Sequence, residues 1–327
     1  MALTALAPTL QEIIFARARL DTRIKETPVV SWDSLTKDNL LGKDTQVYIK
    51  LELFQFAGSF KPRGALLVMM ELDEEGLKKG VTAVSAGNHA IAVGYAAQVL
   101  GTHAKVVMPR TANPFRIQRC RELGTEVVLV ENVVRAFEEV SRIQREEGRT
   151  FVHPFEGPLT ALGTATIGLE YTRQVARMDA VIIPVGGGGL AGGMACAIRQ
   201  INPECRILGV EPVGADTMYR SFISGKPESL EAVRTIADSL GSPFAMPYSL
   251  DLCRRYLEKI VLVEDDEIRN AMRLMFNELK LAAEPAAAAS LAALLGPLRE
   301  ELKGKKVGLI ACGSNIDLET FYQLIKQ

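Results

Sequence analysis

Residues 180–185, Ala-Val-Ile-Ile-Pro-Val, are apolar throughout, and four consecutive glycines, Gly186 to Gly189, follow at once. Leu190-Ala191-Gly192-Gly193-Met194-Ala195 then opens a helix. Strand, glycine turn and helix in that order make a βα unit, which confines the chain to folds built on a parallel sheet. Without Cβ atoms the turn takes positive φ cheaply, so successive N–H groups can converge on one anion. The start of the helix adds its own partial positive charge, and the two together suit a phosphate dianion.

The same glycines support a second reading. Gly187, Gly189 and Gly192 satisfy G-x-G-x-x-G after a strand, and Glu211 falls where a ribose-binding acid would sit, so a nicotinamide dinucleotide-binding oxidoreductase is an alternative from a different class. A membrane span is the poorer reading of Ala180–Ile198: the stretch is uncharged but holds six glycines and a proline.

Further βα units recur along the chain. Val81–Val84 leads into Ser85-Ala86-Gly87-Asn88-His89-Ala90 and a helix carrying Ile91, Tyr95 and Val99, and Val307–Ala311 leads into Cys312-Gly313-Ser314-Asn315. With the glycine turn, these are three strand ends of the kind that mark the carboxyl edge of a sheet, where α/β proteins bind ligands. Ala104–Met108 before Pro114–Leu123, and Glu126–Val130 before Val134–Glu147, continue the alternation. A small domain is expected over 78–152, inserted into a larger one formed by 1–77 and 153–327. Ile268, Met272, Met275 and Leu279 recur at helical spacing and read as core.

Composition narrows the class. A length of 327 residues with 48% hydrophobic content suits two domains sharing a cleft. The net charge of -1 argues against a nucleic-acid or membrane partner. Five cysteines without C-x-x-C read as reduced thiols in a cytoplasmic protein, and three scattered histidines suggest no histidine metal site. The N-terminus, Met1–Pro8, lacks the basic flank of a signal peptide and leads to a capping box at Thr9 and Glu12.

Lys61 lies in Gly58-Ser59-Phe60-Lys61-Pro62-Arg63-Gly64. An aldehyde cofactor must be held covalently yet exchangeably, and a lysine amine does this through a Schiff base that an incoming amino acid can displace. A lysine beside an aromatic ring, with a phosphate turn elsewhere in the chain, is the equipment pyridoxal 5'-phosphate requires.

Together these motifs resemble the fold-type II pyridoxal phosphate family of threonine and serine dehydratases and serine racemases, over nearly the whole chain and in the family's order. The resemblance implies a tryptophan synthase β-like α/β fold, with two parallel-sheet domains and the active site in the cleft between them. It implies that Lys61 is the Schiff-base lysine and catalytic base, and Phe60 the aromatic packed on the cofactor ring. Asn88 would bond the cofactor's phenolic oxygen, Gly186, Gly187, Gly188, Gly189 and Leu190 would bind its phosphate, and Cys312 would face the pyridine nitrogen. Ser85, Ala86, Asn88 and His89 would hold the substrate carboxylate.

The expected activity is that of a lyase, deaminating L-threonine, L-serine or another β-hydroxy amino acid to a 2-oxo acid and ammonia. A 3-hydroxyaspartate dehydratase is an alternative, with Arg135 as candidate partner for the extra carboxylate and a solvated surface arginine as the blander reading. A serine racemase is disfavoured because Ala86 stands where racemases carry a proton-donating serine. Glu211 and Ala215 match two members of a divalent-cation site found in some relatives, but Thr217 replaces its aspartate. No metal site is therefore assigned, and a divalent cation stays open. Ser239 replaces a usual glycine beside the substrate. A homodimer or higher homo-oligomer is expected, and with no regulatory domain after Gln327, little feedback inhibition by isoleucine.

Overall fold

The computed structural model describes residues 6–326, so the expectation resting on Met1–Ala5 falls outside the described residues. Ten strands form two sheets: β1 (Val29–Ser31), β2 (Gln46–Lys50), β3 (Val81–Val84), β4 (Ala104–Pro109), β5 (Glu126–Val130), β6 (Thr150–Phe151), β7 (Ala180–Pro184), β8 (Arg206–Pro212), β9 (Lys259–Val263) and β10 (Lys306–Ile310). The larger sheet runs β1-β2-β10-β7-β8-β9 and the smaller β5-β4-β3-β6. All pairings are parallel except β1 with β2, where Val29 faces Lys50. That antiparallel edge is three residues long, too short for any periodic signal.

The protein is thus a two-domain α/β structure. Strand β7, the apolar run that opens the glycine turn, is buried at every position in the larger sheet between β10 and β8. Covered on both faces, it has no need of a polar side. The helix Pro285–Leu295 is buried along its length as well, and packs on β7, β8, β9 and β10. Ile268, Met272 and Met275 are core residues, and Leu279 packs partly buried against them. The apolar core under the smaller sheet also takes Ala16, Leu20, Leu66, Leu67 and Met69 from the chain ahead of residue 78.

The helix Leu10–Leu20 begins with the expected capping box, Thr9 with Glu12. No helix among the described residues is long and apolar enough to cross a membrane. All five cysteines are buried and unpaired.

A charged cluster lies in the interior behind Lys61. Arg63, fully buried, donates from Nε and Nη2 to Glu52 at 2.8 Å, and from Nη1 and Nη2 to Glu170 at 2.9 and 2.8 Å. Lys50 reaches Glu170 at 2.9 Å. These bonds fasten the helix Pro62–Met69, which starts one residue after Lys61, to the helix Pro158–Gln174 and to the turn at Glu52.

Candidate active site

Every polar strand end named from the sequence opens on one cleft between the sheets. Its lining includes Phe60, Lys61, Ser85 to His89, Gly186 to Leu190, Glu284 and Cys312. Lys61, Phe60, Ser85, Ala86, Asn88, His89, the four glycines, Leu190 and Cys312 are therefore brought together, although up to 252 positions (312 − 60) separate them.

The Lys61 amine donates to Pro154 O at 2.5 Å and lies 5.1 Å from the centre of the Phe60 ring. Burial pushes its pKa down to about 8, against the opposing pull of Cys312 and Glu284. A neutral amine is thereby available near neutral pH, as a nucleophile or base needs. The glycine turn puts Gly188 at φ +89°, immediately before the helix Gly189–Ile201, so the turn needs glycine there and its amides meet the positive end of that helix. A Cβ on Gly187 would fall 2.2 Å from the Phe155 ring, which fills the space beside the turn.

Asn88 opens the helix Asn88–Leu100 and is held on several sides. Its Nδ2 donates to Glu284 Oε1 at 2.6 Å and to Ser239 Oγ at 3.3 Å, and its Oδ1 accepts from Asn315 Nδ2 at 2.6 Å. Glu284 Oε2 is buried with no hydrogen-bond partner among the described residues, and burial raises the Glu284 pKa despite Arg116 nearby. Burial likewise raises the Cys312 thiol well above its ordinary value, so it faces the cleft as a neutral group.

The loop after β3 supplies backbone more than side chains. Ser85 Oγ accepts from Gly87 N at 3.0 Å, and the His89 ring bonds Val152 O at 2.8 Å. Burial and the Lys61 charge hold His89 down to about 3, a neutral ring committed to the scaffold. His153 is held down to about 4 for the same reasons, and its Nδ1 accepts from Phe155 N and Glu156 N.

Two candidates from the sequence lie elsewhere. Arg135 is on the surface, 64% exposed, and pairs with Glu138 at 2.8 Å. Glu211 spends both oxygens on the backbone N–H groups of Met218 and Tyr219, and Thr217 Oγ1 donates to Ser242 O. The described residues contain no group of three His, Cys, Asp or Glu side chains able to hold a metal. Ala215 is buried in the turn that follows Glu211.

Sequence reasoning missed several lining residues. Arg116 donates to Asp238 at 2.5 and 3.2 Å and to Asn315 O at 2.8 Å, tying the helix Pro114–Glu122 to the larger domain. Phe137 and Phe244 line the cleft with Phe155. Glu284 did leave a signal, as the one acid in the otherwise apolar stretch 281–289. Such an acid is buried and partnered far more often than idle.

A parallel-sheet cleft with a depressed lysine, a glycine turn on a helix start and a neutral thiol defines an enzyme of the pyridoxal phosphate-dependent class. The family model described as "Pyridoxal-phosphate dependent enzyme" matches residues 20–313, and the chain belongs to that family. This removes the dinucleotide alternative. A phenylserine dehydratase from Ralstonia pickettii is 51% identical over 318 residues, covering 97% of this chain and 96% of the relative. An L-threonine ammonia-lyase from Thermotoga maritima is 37% identical, over 98% of this chain and 78% of its own. Maize serine racemase has the same fold, with a TM-score of 0.91 and 36% identity over 98% of both chains. The donor set fits the cofactor: an amine for the aldehyde, a turn free of acidic side chains for the phosphate, and a weak thiol donor for the ring nitrogen.

Proposed function

We propose that the protein is an ammonia-lyase that eliminates water from a β-hydroxy amino acid and releases an enamine, whose hydrolysis takes the water up again and leaves a 2-oxo acid and ammonia. The observation that carries this reading is the Lys61 amine, depressed to about 8 at the floor of a cleft beside a phosphate-binding turn. Similarity to relatives named phenylserine dehydratase and L-threonine ammonia-lyase supports it.

Pyridoxal phosphate supplies an electron sink that stabilises negative charge at Cα. Gly186 to Gly189 and Leu190 would hold its phosphate, Phe60 would pack on its ring, and Asn88 and Cys312 would face its polar edge. The amides opening the helix Asn88–Leu100, with Ser85 and His89 in the same loop, hold the substrate carboxylate. Lys61 takes the Cα proton as general base. The β-hydroxyl and the proton removed from Cα leave together as water, and the enamine that is released takes up a water in hydrolysing to 2-oxo acid and ammonia.

L-Threonine and L-serine are substrates on this reading. The similarity to phenylserine dehydratase extends the range to a hydroxy acid with an aromatic group on Cβ. A 3-hydroxyaspartate substrate is disfavoured, because Arg135 is on the surface and Arg116 is already paired with Asp238. Racemisation is disfavoured because Ala86 carries no exchangeable proton. We take the domains as 1–77 with 153–327, and 78–152. Buried unpaired cysteines favour a cytoplasmic setting, and exposed Leu318 and Tyr322 favour a homodimer over a monomer.

The test is turnover of a panel of β-hydroxy amino acids by the holoenzyme, read as 2-oxo acid, together with its visible absorption band. Lys61→Ala should lose both the borohydride-sensitive band and nearly all turnover. A variant that kept more than a few per cent of activity would overturn the assignment.

A further inference from the structure

One side of the cleft is built differently from its polar floor. Phe137, Phe155, Pro243 and Phe244 line it, with Ala136 and Pro109 buried beside them. The rings form a connected set: Phe137 to Phe244 at 5.5 Å with planes at 58°, and Phe244 to Phe155 at 6.3 Å and 53°. These are tilted pairs rather than face-to-face stacks, and all three rings line the cleft. The one lining guanidinium among the described residues, Arg116, is spent on Asp238, and the Lys61 amine donates to Pro154 O.

Phe137 and the central ring, Phe244, come from different domains. Phe137 lies on the helix Val133–Glu147, which packs on β3 and β4 of the smaller sheet. Phe244 sits in a larger-domain loop that is pinned rather than free. Ser229 bridges Phe244, Leu230 N donates to Pro243 O, Ala245 N donates to Glu228 O, and Ser242 Oγ donates to Phe244 O at 2.7 Å. Thr217 Oγ1 bonds Ser242 O in the same loop. A flat apolar face held this firmly loses little entropy on binding, as a specificity surface requires.

We propose that Phe137 and Phe244 are the specificity-determining residues of this site, a two-part aromatic clamp, one ring from each domain, that receives an aromatic group at the substrate's Cβ on the side the touching rings present to the cleft. The proposal rests on the amino-acid reading of the site given above. Because each domain supplies one ring, the receiving surface exists only where the domains meet. A methyl or hydrogen on Cβ leaves the clamp unfilled.

The experiment uses the holoenzyme with Phe137→Ala, Phe244→Ala and the double variant, plus Phe244→Leu to keep apolar bulk without a flat face. Two readouts are taken: kcat/KM for L-threo-3-phenylserine against L-threonine, and binding of L-phenylalanine against L-alanine, followed through the cofactor's absorption. Neither binding ligand has a β-hydroxyl, so this arm does not depend on elimination. Each alanine variant should lower the phenylserine-to-threonine ratio about tenfold or more, with the leucine variant intermediate. The preference for L-phenylalanine should fall in parallel, and the double variant should lose less than the product of the singles, because the rings act as a pair. If both substrates and both ligands weaken equally, or the ratios do not move, the clamp is refuted. If L-phenylalanine is preferred and the variants lose that preference while no hydroxy amino acid is turned over, the clamp stands and the lyase reading fails.

Discussion

Replacing Arg63 with methionine tests how the charged cluster behind the active-site lysine is balanced. Methionine keeps a stem of similar length, so the change removes charge and hydrogen bonds more than volume. Glu170 would retain Lys50 at 2.9 Å and Arg17 at 2.5 Å. Glu52, fully buried, would keep only the Thr27 hydroxyl, also at 2.5 Å. One carboxylate is thereby stranded, and breaking a buried pair this way costs about 3–5 kcal/mol. That is a large share of the roughly 5–15 kcal/mol that holds a protein folded.

The assay is urea unfolding followed by circular dichroism at about pH 7.5 and about pH 5.5. In the parent, burial alone would raise the Glu170 pKa, but Arg63 and Lys50 outweigh it and hold it below its ordinary 4.5. The parent's contribution from Glu170 is therefore intact at both pH values. In the variant a buried carboxylate is left without its counter-ion, a penalty that protonation relieves, so the deficit is full at high pH and shrinks on acidification. A loss under about 1 kcal/mol at the higher pH, or a gap that widens as pH falls, would refute the reasoning.

Because burial holds Lys61 near 8, the rate at which apoprotein captures pyridoxal phosphate should climb with pH and level off above about 8; a midpoint near the ordinary lysine value of 10.5 would mean a solvated amine. L-Serine should give 2-oxo acid with little D-serine, and Ala86→Ser should raise the inverted fraction on chiral chromatography, less than fully, since a donor misplaced by about 1 Å can cost a hundredfold. Substantial D-serine from the unmodified enzyme would point to another acid. With both Glu211 oxygens taken by backbone amides, activity should survive dialysis against EDTA, and a loss restored by magnesium would reveal a cation site.

The parts of the cleft legible in the sequence are those carried by a contiguous turn. Gly186 to Gly189 and Cys312 follow the neighbouring strands β7 and β10 of one parallel sheet and so share its edge, which the sequence shows, whereas Ser85 to His89 follow β3 of the other sheet and join them because both sheets open on the same cleft. Arg116 gave no such sign: it sits with Arg119 and Arg121 on a polar helix that looks like a solvated face, and only packing shows that the first of them turns inward. Phe137 and Phe244 are 107 positions apart (244 − 137) and meet because two domains do. Arg135 drew attention for its charge, while its neighbours Ala136 and Phe137 are the residues that line the cleft.

Three consecutive residues touch the lysine, the glycine turn and the aromatic side of the cleft, which lie far apart in the chain. His153 braces the turn, Pro154 O accepts from Lys61, and the Phe155 ring lies against Gly187 on one side and towards Phe244 on the other. On the proposed reading, cofactor phosphate and substrate side chain would rest on a shared support, and thermodynamic reciprocity would apply to them. By whatever factor a filled aromatic wall tightens the hold on pyridoxal phosphate, bound pyridoxal phosphate tightens the hold on the side chain. Where the cofactor is scarce, the preferred substrate would recruit it, and the loaded fraction of the enzyme would follow the supply of the compound it consumes.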